Sequence, residues 1–219
     1  MFYRLLHAVV LTIFKVLFRV RVLGREHVPR RGVYVVAPTH RSILDVPFTA
    51  YITRRRIRFM AKKELFTTWI GRRVFNALAA IPVDRAATDR SALRAAQAAL
   101  DAGEPVGVFP EGTRNAGPVL GELHDGAAYL ALKLGVPIVP VGIGGSEEIM
   151  ASGKLLPRIK RVVVVIGPAI APSPDAAGSH RRSDVTRMTA TLRDELQDCF
   201  DAALAAVGAS AGSQVRQRG

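Results

Sequence analysis

Short runs of apolar, mostly β-branched residues recur along this chain of 219 residues, separated by stretches long enough to form helices. Four of the runs cover residues 33–37, 105–109, 138–143 and 162–166. Such runs are typical of strands buried on both faces, which occur in parallel sheets covered by helices. The alternation of strands with helices therefore predicts an α/β fold, a single-domain, mostly parallel sheet flanked by helices.

The first polar motif follows the strand at 33–37 and reads Thr-His-Arg-Ser-Ile-Leu-Asp over residues 39–45. His40 lies where the strand gives way to a helix predicted over about 42–53, with Ser42 as its N-cap. Asp45 follows about one helical turn later, so its carboxylate can fix the tautomer of the imidazole and leave the other nitrogen to accept a proton. By itself, this spacing also fits a structural role, in which His40 caps a helix and Asp45 pairs with an arginine.

A second polar motif follows the strand at 105–109 and reads Phe-Pro-Glu-Gly-Thr-Arg over residues 109–114. His-x4-Asp and this hexapeptide, some seventy residues apart, resemble the glycerolipid acyltransferases, in particular the 1-acylglycerol-3-phosphate (lysophosphatidate) acyltransferases. Two further segments, 81–85 and 136–141, extend the resemblance to roughly residues 24–170. Four blocks in the same order make the resemblance specific.

The resemblance implies that His40 is the general base and that Asp45 orients it. It also implies an acceptor and phosphate site, for which the candidates are Arg85, Glu111, Gly112, Thr113, Arg114 and His124. Arg114 can hold a phosphate through a forked, charge-assisted contact, whereas we expect Glu111 to align Arg114 or to receive a glycerol hydroxyl. His124 stands where the family has a lysine, and Thr39 stands where the family has an asparagine.

The implied reaction moves a fatty acyl group from an acyl thioester to the hydroxyl of 1-acylglycerol 3-phosphate, which gives phosphatidate. The thioester, acyl-CoA or acyl carrier protein, is the donor substrate, and no cofactor is expected.

The five histidines lack metal-ligand spacing, so no metal site is expected. The run Gly142–Ser146 lacks the full dinucleotide fingerprint and is interpreted as a turn at the end of a strand. Cys199 lies outside every motif, so we expect no nucleophilic role for it.

Positive charge is concentrated at the start of the chain. Residues 1–85 hold 17 Lys and Arg against 4 Asp and Glu, which accounts for the whole net charge of +13. Such a cluster suits an anionic lipid surface, an acidic protein or a phosphorylated ligand, whereas nucleic acid is the least supported partner because no binding motif accompanies the cluster. Residues 2–20 are apolar with cations on one side, which predicts an amphipathic helix at the membrane interface; a helix packed in the core fits the pattern equally well.

Three regions are expected: an N-terminal membrane-interface helix over 1–23, the acyltransferase domain over 24–207, and a disordered tail over 208–219. We expect the protein at the cytoplasmic face of the cell membrane, peripheral or monotopic, with the lipid surface, lysophosphatidate and the acyl donor as its partners. Two alternatives stay open from the residues alone. One is acylation of glycerol 3-phosphate or a glycolipid, and the other is a non-catalytic basic membrane-binding protein.

Overall fold

A computed structural model describes residues 12–77, 80–83, 90–149, 158–178 and 181–216. The strands are β1 (Arg21–Leu23), β2 (Val35–Pro38), β3 (Arg58–Lys62), β4 (Ile81–Val83), β5 (Val106–Gly107), β6 (Ile138–Gly144) and β7 (Val163–Ile166). The helices are α1 (described over residues 12–17), α2 (Asp45–Thr49), α3 (Trp69–Ala77), α4 (Arg90–Asp101), α5 (Gly126–Leu134), α6 (Ser146–Ile149) and α7 (Arg182–Arg216).

The strands form one sheet in the order β1-β7-β6-β2-β5-β3-β4. Neighbouring strands are parallel throughout, except that β6 and β7 are antiparallel. The prediction of a mostly parallel sheet flanked by helices is therefore confirmed. The short edge strand β1 and the short helix α6 were not predicted from the sequence.

The two ends of the sheet differ in what they carry. We call the end at which β2, β3, β5 and β6 finish the carboxyl edge, and the opposite end the amino edge. Strand β7 is antiparallel to β6, and β1 is parallel to β7, so β1 begins at the carboxyl edge. Helix α1 precedes β1 and therefore joins the sheet at that edge. The arginine run 54–56 precedes β3 and lies at the amino edge, where Arg55 donates to the carbonyl groups of Gly32 and Gly103.

Both faces of the sheet are buried. Along β2, Val35 and Ala37 face a cluster formed with α4, α5 and α7, whereas Tyr34 and Val36 face a second cluster that includes Phe18 and Phe48. This alternation follows from the two-residue period of a strand. Burial on both faces explains why the strand sequences are continuous apolar runs.

Helix α1 has one face in the core and one face in solvent. Phe14 and Phe18 pack edge-on, and Phe18 also contacts Phe48. On the other side Ile13 and Val16 are 56% and 72% exposed. The structure thus shows core packing of one side of α1, whereas contact of the exposed side with a membrane stays a prediction. Within the described residues no helix is both long enough and apolar enough to cross a membrane.

Two boundaries differ from the predicted ones. Ser42 does not cap a helix, because α2 begins only at Asp45 and its N-cap residue, Leu44, makes no side-chain capping bond. Helix α7 continues to Arg216, past residue 207. Residues 1–11 of the predicted N-terminal helix and residues 217–219 of the predicted tail lie outside the described residues.

Two glycines allow α7 to lie directly on β6. A Cβ atom at Gly142 would lie 2.3 Å from the Cys199 carbonyl group, and one at Gly144 would lie 2.6 Å from the carbonyl carbon of Ala203. Both glycines belong to the strand, so this part of the run 142–146 is a helix-packing surface, and only Gly145, with a φ of 86°, occupies the turn. Burial, reinforced by the nearby Glu195 and Asp198, raises the pKa of the Cys199 thiol to about 12, which keeps it neutral.

We expect Gly142→Ala to lower the free energy of unfolding by about 1–3 kcal/mol, because the new methyl group meets backbone atoms of α7 that cannot move aside singly. Gly208→Ala is the matched control, since nothing lies within 4 Å of its Cβ position and alanine favours the helix. Urea denaturation measures both. Equal stability of Gly142→Ala and wild type would contradict the close contact.

Candidate active site

The first motif forms a tight turn around the carboxylate of Asp45. Its Oδ2 atom accepts the backbone N–H groups of Arg41 and Ser42, each at 2.6 Å. The side chain is fully buried, and Thr49 donates its hydroxyl to the Asp45 carbonyl oxygen one turn later. The carboxylate is therefore fixed by the backbone of its own loop before any substrate binds.

The same oxygen is also the hydrogen-bond acceptor for the His40 side chain. The distance from Nδ1 of His40 to Oδ2 of Asp45 is 3.2 Å. Because that oxygen is already an acceptor for two N–H groups, the arrangement favours the tautomer with hydrogen on Nδ1 and a lone pair on Nε2. The imidazole stacks on Phe109 with 4.0 Å between the ring centroids, and its side chain is 14% exposed. Among the described residues no hydrogen bond engages Nε2, so this atom is open to a substrate hydroxyl.

A buried ion pair joins the two motifs. Nη1 of Arg41 lies 2.8 Å from each carboxylate oxygen of Glu111, and both residues are 2% exposed. Glu111 also accepts the backbone N–H of His40 at 3.0 Å and that of Gly121 at 3.0 Å, and the side-chain amide of Asn115 at 2.8 Å. The Glu111 carboxylate thus points inward and holds the loop that carries His40.

The segment 115–121 is held from several sides. Arg41 donates to the carbonyl oxygens of Gly117 and Val119, and the backbone N–H of Gly117 donates to Glu147 of α6. Helix α7 adds Gln197, which accepts the N–H of Leu120 and donates to Pro118, and Arg193, which donates to the carbonyl oxygens of Leu120 and Gly121. This segment is consequently held in place beside the loop that carries His40.

The residues proposed to bind phosphate lie on the outer side of the second motif. Thr113, Arg114 and His124 are exposed. The His124 ring lies against Gly112, which has a φ of 66° and whose missing Cβ would fall 2.7 Å from that ring. The N–H groups of Gly112 and Thr113 already donate to carbonyl oxygens of the turn, at 3.1 and 2.7 Å. Side chains rather than these amides are therefore left to contact an anion.

Opposing influences act on the pKa of Glu111. Burial, the largest of them, raises it, but the hydrogen bonds from Arg41, Gly121, His40 and Asn115 together outweigh burial and hold the pKa below its ordinary value. The carboxylate is accordingly charged at neutral pH. The buried charge of Arg41 is balanced by it and also stacks over the Phe200 ring, 4.8 Å from its centroid.

The structure brings His40, Asp45, Glu111, Gly112, Thr113, Arg114 and His124 to the carboxyl edge, in two loops that touch, whereas Arg85 lies outside the described residues. Sequence reasoning missed Arg41 and Phe109, which contact Glu111 and His40. The position of Arg41 beside His40 in the motif was the available indication. An arginine is usually exposed, however, so residue type alone did not predict its burial.

Glu111→Gln should lower the free energy of unfolding at neutral pH by about 3–5 kcal/mol, because it leaves the Arg41 charge buried without its partner. A carboxyl group with a lowered pKa stabilises the fold fully above its unfolded pKa of about 4.5 and loses that effect as the pH falls through the folded value. Wild type should therefore lose stability below about pH 4.5 more steeply than Glu111→Gln. Denaturant titrations over a pH series measure this, and parallel curves would contradict it.

Comparison with known proteins shows which family this chain resembles. Residues 19–144 match the Acyltransferase protein family. A 1-acyl-sn-glycerol-3-phosphate acyltransferase from Bacillus subtilis (strain 168) is 32% identical over 181 residues, which cover 82% of this chain and 87% of the relative. The human 1-acyl-sn-glycerol-3-phosphate acyltransferase alpha is 35% identical over 135 residues, 59% of this chain and 47% of the relative.

The fold also has a solved counterpart. The crystal structure of the 1-acyl-sn-glycerophosphate (LPA) acyltransferase PlsC from Thermotoga maritima superposes with a TM-score of 0.68 at 23% identity, covering 88% of this chain and 80% of that one. At this identity the likeness establishes the fold. The family match covers more than half of the sequence and includes both polar motifs. The chain therefore belongs to the acyltransferase family.

Proposed function

We propose that this acyltransferase moves a fatty acyl group from an acyl thioester to the free hydroxyl of 1-acylglycerol 3-phosphate, with phosphatidate as the product. The observation that carries the proposal is the His40–Asp45 pair, whose open Nε2 lies on the same edge as the exposed Arg114. The names of the bacterial and human relatives support the choice of acceptor.

The chemistry follows from the orientation of His40. Its Nε2 takes the proton of the acceptor hydroxyl as the oxygen attacks the thioester carbonyl carbon. A carbon–oxygen bond forms, the carbon–sulfur bond breaks, and the proton passes from the imidazolium to the departing thiolate. Asp45 stabilises the imidazolium in between, at an oxygen that the backbone already holds in place. No acyl-enzyme is needed, and the Cys199 thiol is buried on the side of α7 that packs on the sheet.

Acceptor binding is assigned to the outer side of the second motif. The Arg114 guanidinium supplies a forked contact to phosphate, and the exposed Thr113 and His124 side chains are the further candidates for that contact. Arg85 is a further candidate. Glu111 is a positioning residue that does not contact the acceptor, because its carboxylate already accepts hydrogen bonds from Arg41, Asn115 and two backbone N–H groups.

The acceptor is a lipid, so the active site has to work at a membrane surface. We place the protein peripherally at the cytoplasmic face, with the exposed side of α1 in the lipid interface. Ile13, Val16 and Leu17 are exposed on that helix, and α1 joins the sheet at the edge that carries His40. This arrangement keeps the acceptor hydroxyl within reach of the base.

The direct test is a thiol-release assay with purified protein, palmitoyl-CoA and one acceptor at a time. Lysophosphatidate should support turnover, and the product should carry its new acyl group on the hydroxyl that was free. Faster turnover with glycerol 3-phosphate or a glycolipid would replace the proposed acceptor. Absence of thiol release with every acceptor and with both acyl-CoA and acyl carrier protein would contradict catalysis.

His40→Ala should lower turnover by about 10²- to 10⁴-fold at saturating substrate, because the hydroxyl loses its base. Asp45→Asn should be similarly slow, since the amide no longer stabilises the imidazolium. The matched control is His27→Ala. His27 follows β1 at the amino edge, where its ring contacts the Ile166 carbonyl oxygen, so turnover should stay near wild type. A fast His40→Ala enzyme would exclude the base role.

Arg114→Ala should raise the KM for lysophosphatidate by about 10- to 100-fold, the loss expected for a charge-assisted contact. The variant should also discriminate less between phosphorylated and unphosphorylated acceptors. Arg30→Ala removes an equally exposed arginine at the amino edge and should leave KM unchanged. If Arg114→Ala keeps the full preference for phosphate, the phosphate site lies elsewhere, with Arg85 the next candidate.

Val16→Asp should weaken binding to vesicles by about tenfold or more without unfolding the protein, because it places a charge on the exposed side of α1. Phe18→Asp should unfold the protein instead, since Phe18 lies in the core. Vesicle co-sedimentation and circular dichroism distinguish the two. Unchanged vesicle binding by Val16→Asp would show that this face of α1 does not contact lipid.

A further inference from the structure

A second exposed apolar surface lies at the carboxyl edge, after β3. The chain leaves β3 into a 3₁₀ turn, Lys63–Phe66, and then enters α3. Trp69, in the first turn of α3, is 70% exposed, and Leu65 is 39% exposed. Tryptophan is a large apolar side chain, and exposed apolar surface of this kind is a candidate interaction site.

The exposure of Trp69 is built into the local fold. The Thr68 hydroxyl caps α3 by accepting the N–H of Gly71 at 3.0 Å. A Cβ at Gly71 would lie 2.1 Å from the Leu65 carbonyl oxygen, so this glycine lets the helix close tightly on the 3₁₀ turn. Trp69 is thereby directed away from the domain by a compact turn.

The surroundings of Trp69 are cationic. The Arg73 guanidinium lies over its ring, 5.1 Å from the ring centroid. Arg72 is exposed beside it, and residues 63–77 contain three Lys and Arg against one acidic residue. A tryptophan flanked by arginines matches the chemistry of a bilayer interface, where the ring occupies the headgroup level and the cations meet anionic lipids.

The position of this surface agrees with such a partner. Because β3 is parallel to β5, and β5 to β2, the segment after β3 leaves the sheet at the same edge as the His40 loop and the Glu111 loop. Helix α1 joins at that edge too, on the far side of His40 in the strand order. The active site thus lies between two exposed apolar elements.

We propose that the segment Lys63–Arg73 is a second membrane contact, which binds an anionic lipid surface through Trp69, Leu65, Arg72 and Arg73. Together with α1 it sets the carboxyl edge against the bilayer and turns the arginine run 54–56 at the amino edge toward water. This inference rests on the proposed action at a lipid surface and names the residues that make that contact.

Trp69 is the only tryptophan in the chain, so its fluorescence reports on this surface alone. With the full chain and vesicles of phosphatidylcholine and phosphatidylglycerol, we expect the emission to shift to shorter wavelength and to be quenched by phosphatidylcholine brominated on its acyl chain. Protein that sediments with the vesicles while Trp69 keeps its aqueous emission and escapes the quencher would overturn the proposal.

Charge removal at opposite edges supplies the matched control. The double variant Arg72→Gln and Arg73→Gln should bind anionic vesicles about tenfold more weakly than wild type. Arg54→Gln and Arg56→Gln remove the same charge from exposed positions at the amino edge and should change binding much less. Equal losses in the two variants would mean that only net charge matters, which contradicts a defined contact.

Two other occupants would give different results. An emission shift with an acidic acyl carrier protein and none with vesicles would make the surface a protein-docking site. A shift that grows with protein concentration in the absence of lipid would indicate a second copy of the chain. Thiol release from detergent-dispersed lysophosphatidate needs no vesicle, so it tests the proposed reaction separately. Turnover there with no lipid contact at Trp69 would overturn this inference alone.

Discussion

The buried ion pair between Arg41 and Glu111 connects the loop after β2 to the loop after β5, and the geometry of both depends on it. Burying two charges costs desolvation free energy, which is offset only where further hydrogen bonds satisfy the groups. Here Arg41 donates hydrogen bonds to two carbonyl oxygens of the 115–121 segment. Glu111 accepts hydrogen bonds from the Asn115 side-chain amide and from two backbone N–H groups. The two sequence motifs are therefore one structural unit, joined beneath the surface that faces substrate.

The dyad itself is assembled more locally. Asp45 contacts His40 within a turn of a few residues, and its carboxylate is held by two backbone N–H groups of the same turn. In the proposed mechanism, the charge that stabilises the imidazolium is in place before the reaction, which removes the need for solvent to reorganise as the proton moves. The proposed membrane contact and the proposed proton transfer therefore use different parts of the same edge.

Sequence patterns predicted most of the sheet and the His40–Asp45 pair, for a physical reason in each case. Buried parallel strands require apolar residues on both faces, and a base and its partner five residues apart share one loop. The contact of Arg41 with Glu111 spans seventy residues of sequence, and neither residue type indicates that its side chain will be buried. Ser42 shows the converse, because this typical N-cap residue lies three residues before the start of α2, in the turn whose backbone N–H groups hold the Asp45 carboxylate.

One antiparallel pairing decides which elements share the active-site edge. In a sheet, each parallel neighbour keeps the direction of the chain, and each antiparallel neighbour reverses it, so the number of reversals fixes the end at which a strand begins. Between β2 and β1 there is a single reversal, at β6 and β7. Had β7 run with β6, β1 would have begun at the amino edge, and α1 would have joined the molecule beside the arginine run, on the side opposite His40.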